Sequence, residues 1–512
     1  MPPTGLARRA TCHGHTVAPH FSLGPVAGAV AASGAVNILC VASELSPHAK
    51  TGGLADVAAA LPRALRRAGH DVRTFIPRYD RIAAAPLGLE SALEPFEVRL
   101  GDHRYTMHVL GTDREPGNYF VHCPALYARG EIYTRDDDEH RRFIALIYAA
   151  LMAAQRMGFA PDVIQCNDWQ AALLPLILKC RFGWDALFAH TRTLLTIHNL
   201  NYQGTFAASA LPDTGLGDSA HLFHQDQLRE GRINPLLHGI LYADGVSTVS
   251  PTYAKEIQTP AHGARLDPYL RARRSTVVGI LNGVDGDDWT PETDALLPYR
   301  YGADDLSGKE RNKEALLRDL GLPYVPGVAL FGVVSRLVSQ KGLDLLAEVM
   351  PERLSRKDIQ LIVLGSGEPA LEEMFARMQR AYPKQVCFYQ GYSNPLAHRI
   401  EAGADLFLMP SRYEPCGLNQ MYSLRYGTAP IVHRTGGLAD TVTPWDARTG
   451  RGDGFVFDHH DAAGLRWAVA EALKAYRDPA QWRRIQRNGM SKDFSWDRQA
   501  KVYELLFERL KG

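Results

Sequence analysis

The sequence predicts an α/β protein made of two doubly wound domains that face one another across a cleft. Three observations carry that prediction. From residue 36 onward, short β-branched runs alternate with amphipathic helical stretches, as in a parallel sheet covered on both faces. A polar stretch at 285–326, containing Gly302, Gly308 and Pro323, interrupts the alternation, which then resumes. The hexapeptide Thr51-Gly52-Gly53-Leu54-Ala55-Asp56 recurs verbatim as Thr435-Gly436-Gly437-Leu438-Ala439-Asp440. Each copy follows a strand and a basic residue, Lys50 or Arg434, and each opens a helix.

In the first half, 36–42, 71–77, 162–166, 192–198 and 245–249 read as buried strands. Helices are expected over 54–68, 139–156 and 169–181, and an inserted antiparallel pair over 105–123. In the second half, strands are expected over 328–334, 359–364, 385–390, 405–409 and 429–432. The helices between them read as 342–356, 369–381, 418–426 and 462–476, and an amphipathic helix at 496–510 ends the chain. The expected division is an extension at 1–35, a first domain at 36–288, a linker region at 289–325, a second domain at 326–494 and the final helix at 495–512. Residues 1–35 contain no acid, and their Ala/Gly-rich run is broken by Gly24, Pro25 and Gly28. They read as a disordered extension rather than a signal or transit peptide.

With 512 residues, 46% hydrophobic and 22% charged, the chain has ordinary globular proportions. At about 150 residues per domain it holds three units or two large ones. Lys plus Arg number 57 against 56 for Asp plus Glu, so no global field recruits nucleic acid or an anionic membrane. Any anionic ligand must be held by a local cluster of cations. The uncharged apolar stretch 143–154 falls short of the ~20 residues that a spanning helix needs. The seven cysteines are odd in number and form no C-x-x-C pair, which argues against a zinc site or disulfide framework and for a reducing, cytoplasmic setting. No cofactor or metal is expected, and nothing in the sequence speaks to oligomeric state.

The chemistry gathers where strands end. A Gly-Gly turn lets backbone N–H groups approach a ligand, and the helix behind it offers its dipole to phosphate. Either hexapeptide alone reads first as a turn packing helix on strand. Together, on facing domains, they suggest a diphosphate held in the cleft by Lys50, Gly52 and Gly53 on one side and Thr435, Gly436 and Gly437 on the other, with Asp56 also in the substrate site. Arg336 and Lys341 lie in the loop after the 328–334 strand, where both can point at the same crevice or be merely solvated. Glu414, held after the 405–409 strand by the turn at Pro415 and Gly417, can accept sugar hydroxyls or serve as a helix cap. Gly365, in Gly365-Ser366-Gly367, is another close-approach turn. His198, Asn199, Tyr202 and Gln203 crowd one strand tip and suggest a polyol site, beside Asp168 and the aromatic Trp169, which could stack on a sugar ring. Asn282 opens a further turn, Asn282-Gly283-Val284-Asp285.

Taken in order, these motifs resemble the family of bacterial glycogen synthases and plant starch synthases. The likeness rests on Lys50-Thr-Gly-Gly-Leu-Ala-Asp56, His198-Asn-Leu-Asn-Tyr-Gln-Gly204, Asn282-Gly-Val-Asp285, Ser335-Arg-Leu-Val-Ser-Gln-Lys-Gly-Leu-Asp344, Glu414-Pro-Cys-Gly-Leu418 and Arg434-Thr-Gly-Gly-Leu-Ala-Asp-Thr-Val442. It covers the chain from about residue 36 onward. It implies a GT-B architecture of two Rossmann-like domains, with the last helix crossing back to the first. It also implies metal-independent, retaining transfer of glucose from ADP-glucose to the 4-hydroxyl at the non-reducing end of an α-1,4-glucan.

By that resemblance Lys50, Gly52 and Gly53 would meet the diphosphate from one domain, and Arg336 and Lys341 would neutralise it from the other. Tyr392 falls where the family stacks an aromatic on adenine. Glu414 would hold hydroxyls of the transferred glucose, with the backbone of Cys416, Gly417 and Leu418 beside it. The His198 carbonyl would face the anomeric centre and its imidazole a glucose hydroxyl, with Asp168 on the acceptor side. Two positions depart from the family pattern: Asn167, where His is usual, and Asn419, often Thr near the phosphate. Competing readings are a related transferase using UDP-glucose or forming sucrose or trehalose derivatives, and a non-catalytic glucan-binding relative. A dinucleotide oxidoreductase is a third, but no G-x-G-x-x-G follows the first strand.

Overall fold

The computed structural model describes residues 34–512 apart from 83 and 287, so nearly all of the expected 1–35 extension lies outside the described residues. Two separate parallel sheets organise the chain. In the first lobe seven strands run parallel in the spatial order Val277–Gly279, Gly245–Thr248, Arg192–Ile197, Val163–Asn167, Asn37–Val41, Asp71–Pro77 and Asn118–His122. These strands are buried on both faces, which is why they read as continuous apolar runs. Asn118–His122 then pairs antiparallel with His103–Gly111, which also carries Phe96–Leu100 and Glu90–Ser91. The expected insertion over 105–123 is therefore real but larger, and its last strand belongs to the main parallel run.

The second lobe holds six parallel strands in the order Val386–Gln390, Ile359–Gly365, Ala329–Val334, Leu406–Met409, Ala429–His433 and Phe455–Phe457. The strand order reverses between Ala329–Val334 and Leu406–Met409. That reversal opens a crevice at their carboxyl ends. In the first lobe the equivalent reversal lies beside Asn37–Val41, which has Asp71–Pro77 on one side and Val163–Asn167 on the other.

Three departures from the sequence reading have physical causes. The stretch 169–181 is not one helix but Asp168–Ala171, Leu174–Ile177 and a π turn at Leu178–Phe182, because Pro175 cannot continue the hydrogen-bond ladder. The polar stretch 289–325 is more than a linker: it contains helix Ser307–Asp319, which packs Leu316 and Leu317 into the second lobe. Its buried lysines hide that role in a polar composition. Lys313 Nζ meets Asp405 at 2.8 Å and Tyr476 Oη at 3.1 Å, and Lys309 Nζ donates to Thr428 Oγ1 at 2.7 Å. The strand Phe455–Phe457 and the helix Pro479–Met490 also went unread in the sequence.

Two strands of chain pass between the lobes side by side, with Val284 N donating to Phe494 O at 2.7 Å. The last helix, Trp496–Lys511, then packs Trp496, Tyr503, Leu506, Phe507 and Leu510 against Val57, Leu61 and Leu65 of helix Gly53–Arg67 in the first lobe. His70 Nδ1 accepts from Val36 N, so its Nε2 carries the proton that bonds Glu504 at 3.1 Å. Among the described residues no helix is long and apolar enough to cross a membrane.

Candidate active site

The second lobe supplies charge at its switch point. Leu337 N donates to Ser366 O at 2.8 Å, and a Cβ on Gly365 would overlap Ser335 O. Gly365 therefore serves close packing, holding the 335–337 loop so that Arg336 projects exposed from the end of its strand. Asn419 Nδ2 bonds the Val334 carbonyl at 2.5 Å, so this departure from the family pattern pins the same strand end. Lys341 Nζ lies 2.6 Å from Glu414 Oε2, which also accepts from Ser411 Oγ at 2.9 Å. Glu414 is only 5% exposed. The sequence reading gave Lys341 and Glu414 separate tasks, but here they form one ion pair.

The first lobe answers with the turn at Lys50. Lys50 Nζ bonds Asp56 at 2.7 Å, and burial pushes the Asp56 carboxyl up while Lys50 pulls it down. Thr51 N and Oγ1 donate to Glu44 at 2.7 Å each, and Gly52 N at 3.2 Å. Glu44 also accepts from Tyr133 Oη at 2.6 Å. Neither Glu44 nor Tyr133 was read from the sequence. The signal for Glu44 was an acid just past the tip of the first strand, and Tyr133 carried none. Space beside Gly52 is open, and a Cβ on Gly53 would stand 3.7 Å from Leu418 Cδ1 of the second lobe. Tyr392 of the second lobe is 71% exposed, and the charges of Lys50 and Asp56 act on its hydroxyl. Lys50, Leu418 and Tyr392 thus share one gap.

His198 follows strand Arg192–Ile197. Asp168, in the left-handed region at φ 55°, turns its carboxylate to accept the backbone N–H of His198 at 2.7 Å and of Asn199 at 3.4 Å. Burial pushes that carboxyl up to about 7, against those two bonds. The imidazole is pushed down to about 3 by burial and stays neutral. Asn167 Oδ1 lies 2.9 Å from His198 Nε2, while Asn167 Nδ2 donates to Val41 O at 3.1 Å. An amide at 167 can only accept through Oδ1, so the ring presents Nε2–H to it and leaves Nδ1 bare. Asn167 therefore orients His198.

Some expected site residues are engaged elsewhere. Gln203 spends its amide on Asn234 and on Ala264 O, and Asn199 Oδ1 takes Asn201 N. Trp169 is half-buried: it packs against Gly204 and edge-on to Phe143 at 5.0 Å. Tyr202 is exposed. Asn282 is buried, and its backbone bonds the Cys416 thiol, which burial pushes up to about 12. Gly417 adopts φ 73° beneath Gln420. The second hexapeptide is no second phosphate cradle. Thr435 is buried with Oγ1 on Glu256, Gly436 N also donates to Glu256, and Gly437 N donates to Glu414 O. A Cβ on Gly436 would overlap the Glu414 carbonyl, and one on Gly437 that of Cys416. Thr435 and Gly436 thus serve the seam between the lobes, and Gly437 N holds the Glu414 turn within the second lobe. Among the described residues no group of three or more His, Cys, Asp or Glu gathers as a metal site.

Two Rossmann-like lobes with cations, a carboxylate and a neutral imidazole at facing strand ends define a GT-B glycosyltransferase. A family model described as the starch synthase catalytic domain matches residues 37–272, and one for glycosyl transferases group 1 matches 325–489. A glycogen synthase of Anaeromyxobacter sp. (strain Fw109-5) is 46% identical over 478 residues, covering 93% of this chain and 99% of its own length. Glycogen synthase 2 of Geobacter metallireducens is 44% identical, covering 92% and 98%. The catalytic domain of starch synthase IV from Arabidopsis thaliana, solved bound to ADP and acarbose, superimposes with a TM-score of 0.86 at 35% identity, over 93% of this chain and 100% of that one. A sucrose-phosphate synthase from Thermosynechococcus elongatus shares the fold at a TM-score of 0.58 and 18% identity. The chain belongs to the glycogen synthase and starch synthase family.

Proposed function

We propose that the chain transfers glucose from ADP-glucose to the 4-hydroxyl at the non-reducing end of an α-1,4-glucan, with retention of configuration, and so extends glycogen. The observation that carries this reading is the Lys341–Glu414 pair, in the same lobe as the exposed Arg336, with Leu418 just past Glu414 meeting Gly53 of the Lys50 turn. The relatives' names as glycogen synthases and the ADP held by starch synthase IV support it. An arriving diphosphate competes with Glu414 for Lys341 and recruits Arg336 and Lys50. Glu414 is thereby released toward hydroxyls of the glucose, beside the backbone of Cys416, Gly417 and Leu418. Tyr392 stacks on the adenine.

In the transfer, the bond from C1 to the diphosphate oxygen breaks and one from C1 to the acceptor oxygen forms. The acceptor proton leaves with the diphosphate. The developing charges are a diphosphate and a cation-like sugar. Fixed cations stabilise the first, and Glu414 with the His198 carbonyl stabilises the second. Asp168, by holding the His198 and Asn199 N–H groups, keeps that carbonyl in place on the acceptor side. We assign the reaction to the cytoplasm, in keeping with the free thiols of Cys40, Cys123, Cys166, Cys387 and Cys416. Labelled ADP-glucose and UDP-glucose, each incubated with a glycogen primer, test the proposal. Incorporation from ADP-glucose is expected, and none from either donor would overturn it.

A further inference from the structure

The second hexapeptide, left without a phosphate to hold, meets the first lobe through an unusual seam. Helix Pro251–Glu256 of the first lobe and helix Gly436–Thr441 of the second cap one another. At one end Asp440 accepts from Thr252 N at 2.8 Å and Thr252 Oγ1 at 2.7 Å. At the other, Glu256 Oε1 accepts from Thr435 Oγ1 at 3.1 Å and Gly436 N at 3.0 Å. Each helix thus spends an acid from its last turn on the first-turn donors of its neighbour, which fixes them antiparallel.

This seam grips both halves of the reacting site. Ser250 Oγ, at the cap of the first helix, donates to Pro415 O at 2.6 Å, next to Glu414. Gly437 N, in the second helix, donates to Glu414 O at 3.0 Å. In the other direction Tyr253 Oη, from the first helix, accepts Leu200 N at 3.1 Å and so holds the His198 loop. The strand before that helix, Gly245–Thr248, pairs with Arg192–Ile197, which ends at His198.

We infer that Glu256 and Asp440 are positioning residues whose reciprocal cap sets Glu414 opposite His198 across the cleft. The inference rests on the proposed roles of those two residues in one transfer. Glu256→Ala and Asp440→Ala, singly and together, test it through kcat, ADP affinity by calorimetry and small-angle scattering. Misplacing groups by about 1 Å can lower turnover about a hundredfold, so a ten- to hundredfold fall in kcat is expected. ADP affinity should fall less than kcat, because Arg336 and Lys341 stay together in the second lobe and only Lys50 moves with the first, and the double variant should scatter as a larger particle. Glu256 uses only Oε1, and its Oε2 has no partner, so Glu256→Gln should restore native kcat. Native kcat in the double variant, or ADP affinity falling in step with kcat, would overturn the inference. If the native chain moves no glucose, the reading of the reaction fails, and scattering still decides the seam: an unchanged curve for the folded double variant counts against it, an expanded one for it.

Discussion

Two copies of one hexapeptide do different work in this chain. In both, a glutamate collar takes the threonine hydroxyl and the N–H of the first glycine: Glu44 for Thr51 and Gly52, Glu256 for Thr435 and Gly436. The first collar comes from the same lobe, and its glycines look into open space or toward Leu418. The second comes from the opposite lobe, and its glycines press on the carbonyls of Glu414 and Cys416. The closing acids diverge too: Asp56 holds Lys50, whereas Asp440 holds Thr252. Six identical residues determine a turn and its collar; what faces the turn determines whether it forms a site or a seam.

The largest expected effect lies where the two copies converge. The open copy meets Leu418, in the turn that follows Glu414, and the packed copy holds the Glu414 carbonyl through Gly437 N. Lys341→Ala or Glu414→Ala should leave the chain folded, at a melting temperature lowered by the partner left unpaired in a largely buried pair, while lowering kcat by about 10²–10³, the usual consequence of losing one preorganised partner. A variant of either residue that turns over at the native rate removes it from the mechanism.

Next comes a direct contrast between the copies. Gly437→Ala must push a Cβ into the Cys416 carbonyl, which is backbone and cannot swing aside. A destabilisation of about 1–3 kcal/mol is expected, read in denaturant melts. Gly52→Ala has an extended φ of −160° and empty space, so its stability should stay native and only KM for the donor should rise. Equal loss of stability in both would dissolve the distinction between site and seam.

Much of this was legible in the chain. The strand ends carrying Arg336, Glu414, His198 and Lys50 follow from β-branched runs closed by glycine or proline, and the motifs fell in an order that named their family. What stayed hidden was pairing through space. Glu256 meets Thr435 over 179 positions and Tyr133 meets Glu44 over 89, and no local period records such partners. Burial against composition was equally opaque. Lys309 and Lys313 fall in a stretch that reads as a polar linker, yet they lie in the second core because carbonyls, Thr428 and Asp405 satisfy them. Trp169 reads as open to a sugar, and the sequence gives no sign that its ring packs half-buried against Gly204.

A smaller effect tests the first collar. Glu44→Gln keeps the shape, but its amide can turn a donor toward the N–H groups of Thr51 and Gly52 and loses charge-assisted bonds there. Such bonds contribute about 1.5–3 kcal/mol each, though a reoriented amide recovers part of that. KM for ADP-glucose should rise several-fold in steady-state assays with kcat less affected, since the turn that carries Lys50 loosens. A native KM would show that the turn needs no collar.

The smallest effect separates the basic residues that precede the copies. Lys50 bonds the acid of its own copy, whereas Arg434 pairs with Asp458 and leaves Asp440 to Thr252. Burial raises the Asp56 carboxyl above its ordinary 3.8, and Lys50 opposes that rise. Above the raised value the folded state carries a buried carboxylate, a penalty that Lys50 offsets; below the ordinary value Asp56 is protonated in both states and Lys50 offsets nothing. Lys50→Ala should therefore destabilise the fold at neutral pH by no more than about 1 kcal/mol, because the lysine is partly exposed and screened. The deficit should shrink as pH falls through the Asp56 range, while Arg434→Ala shows no such trend. Melting curves at neutral and acid pH decide it: a Lys50→Ala deficit independent of pH would mean that Asp56 is not its partner in solution.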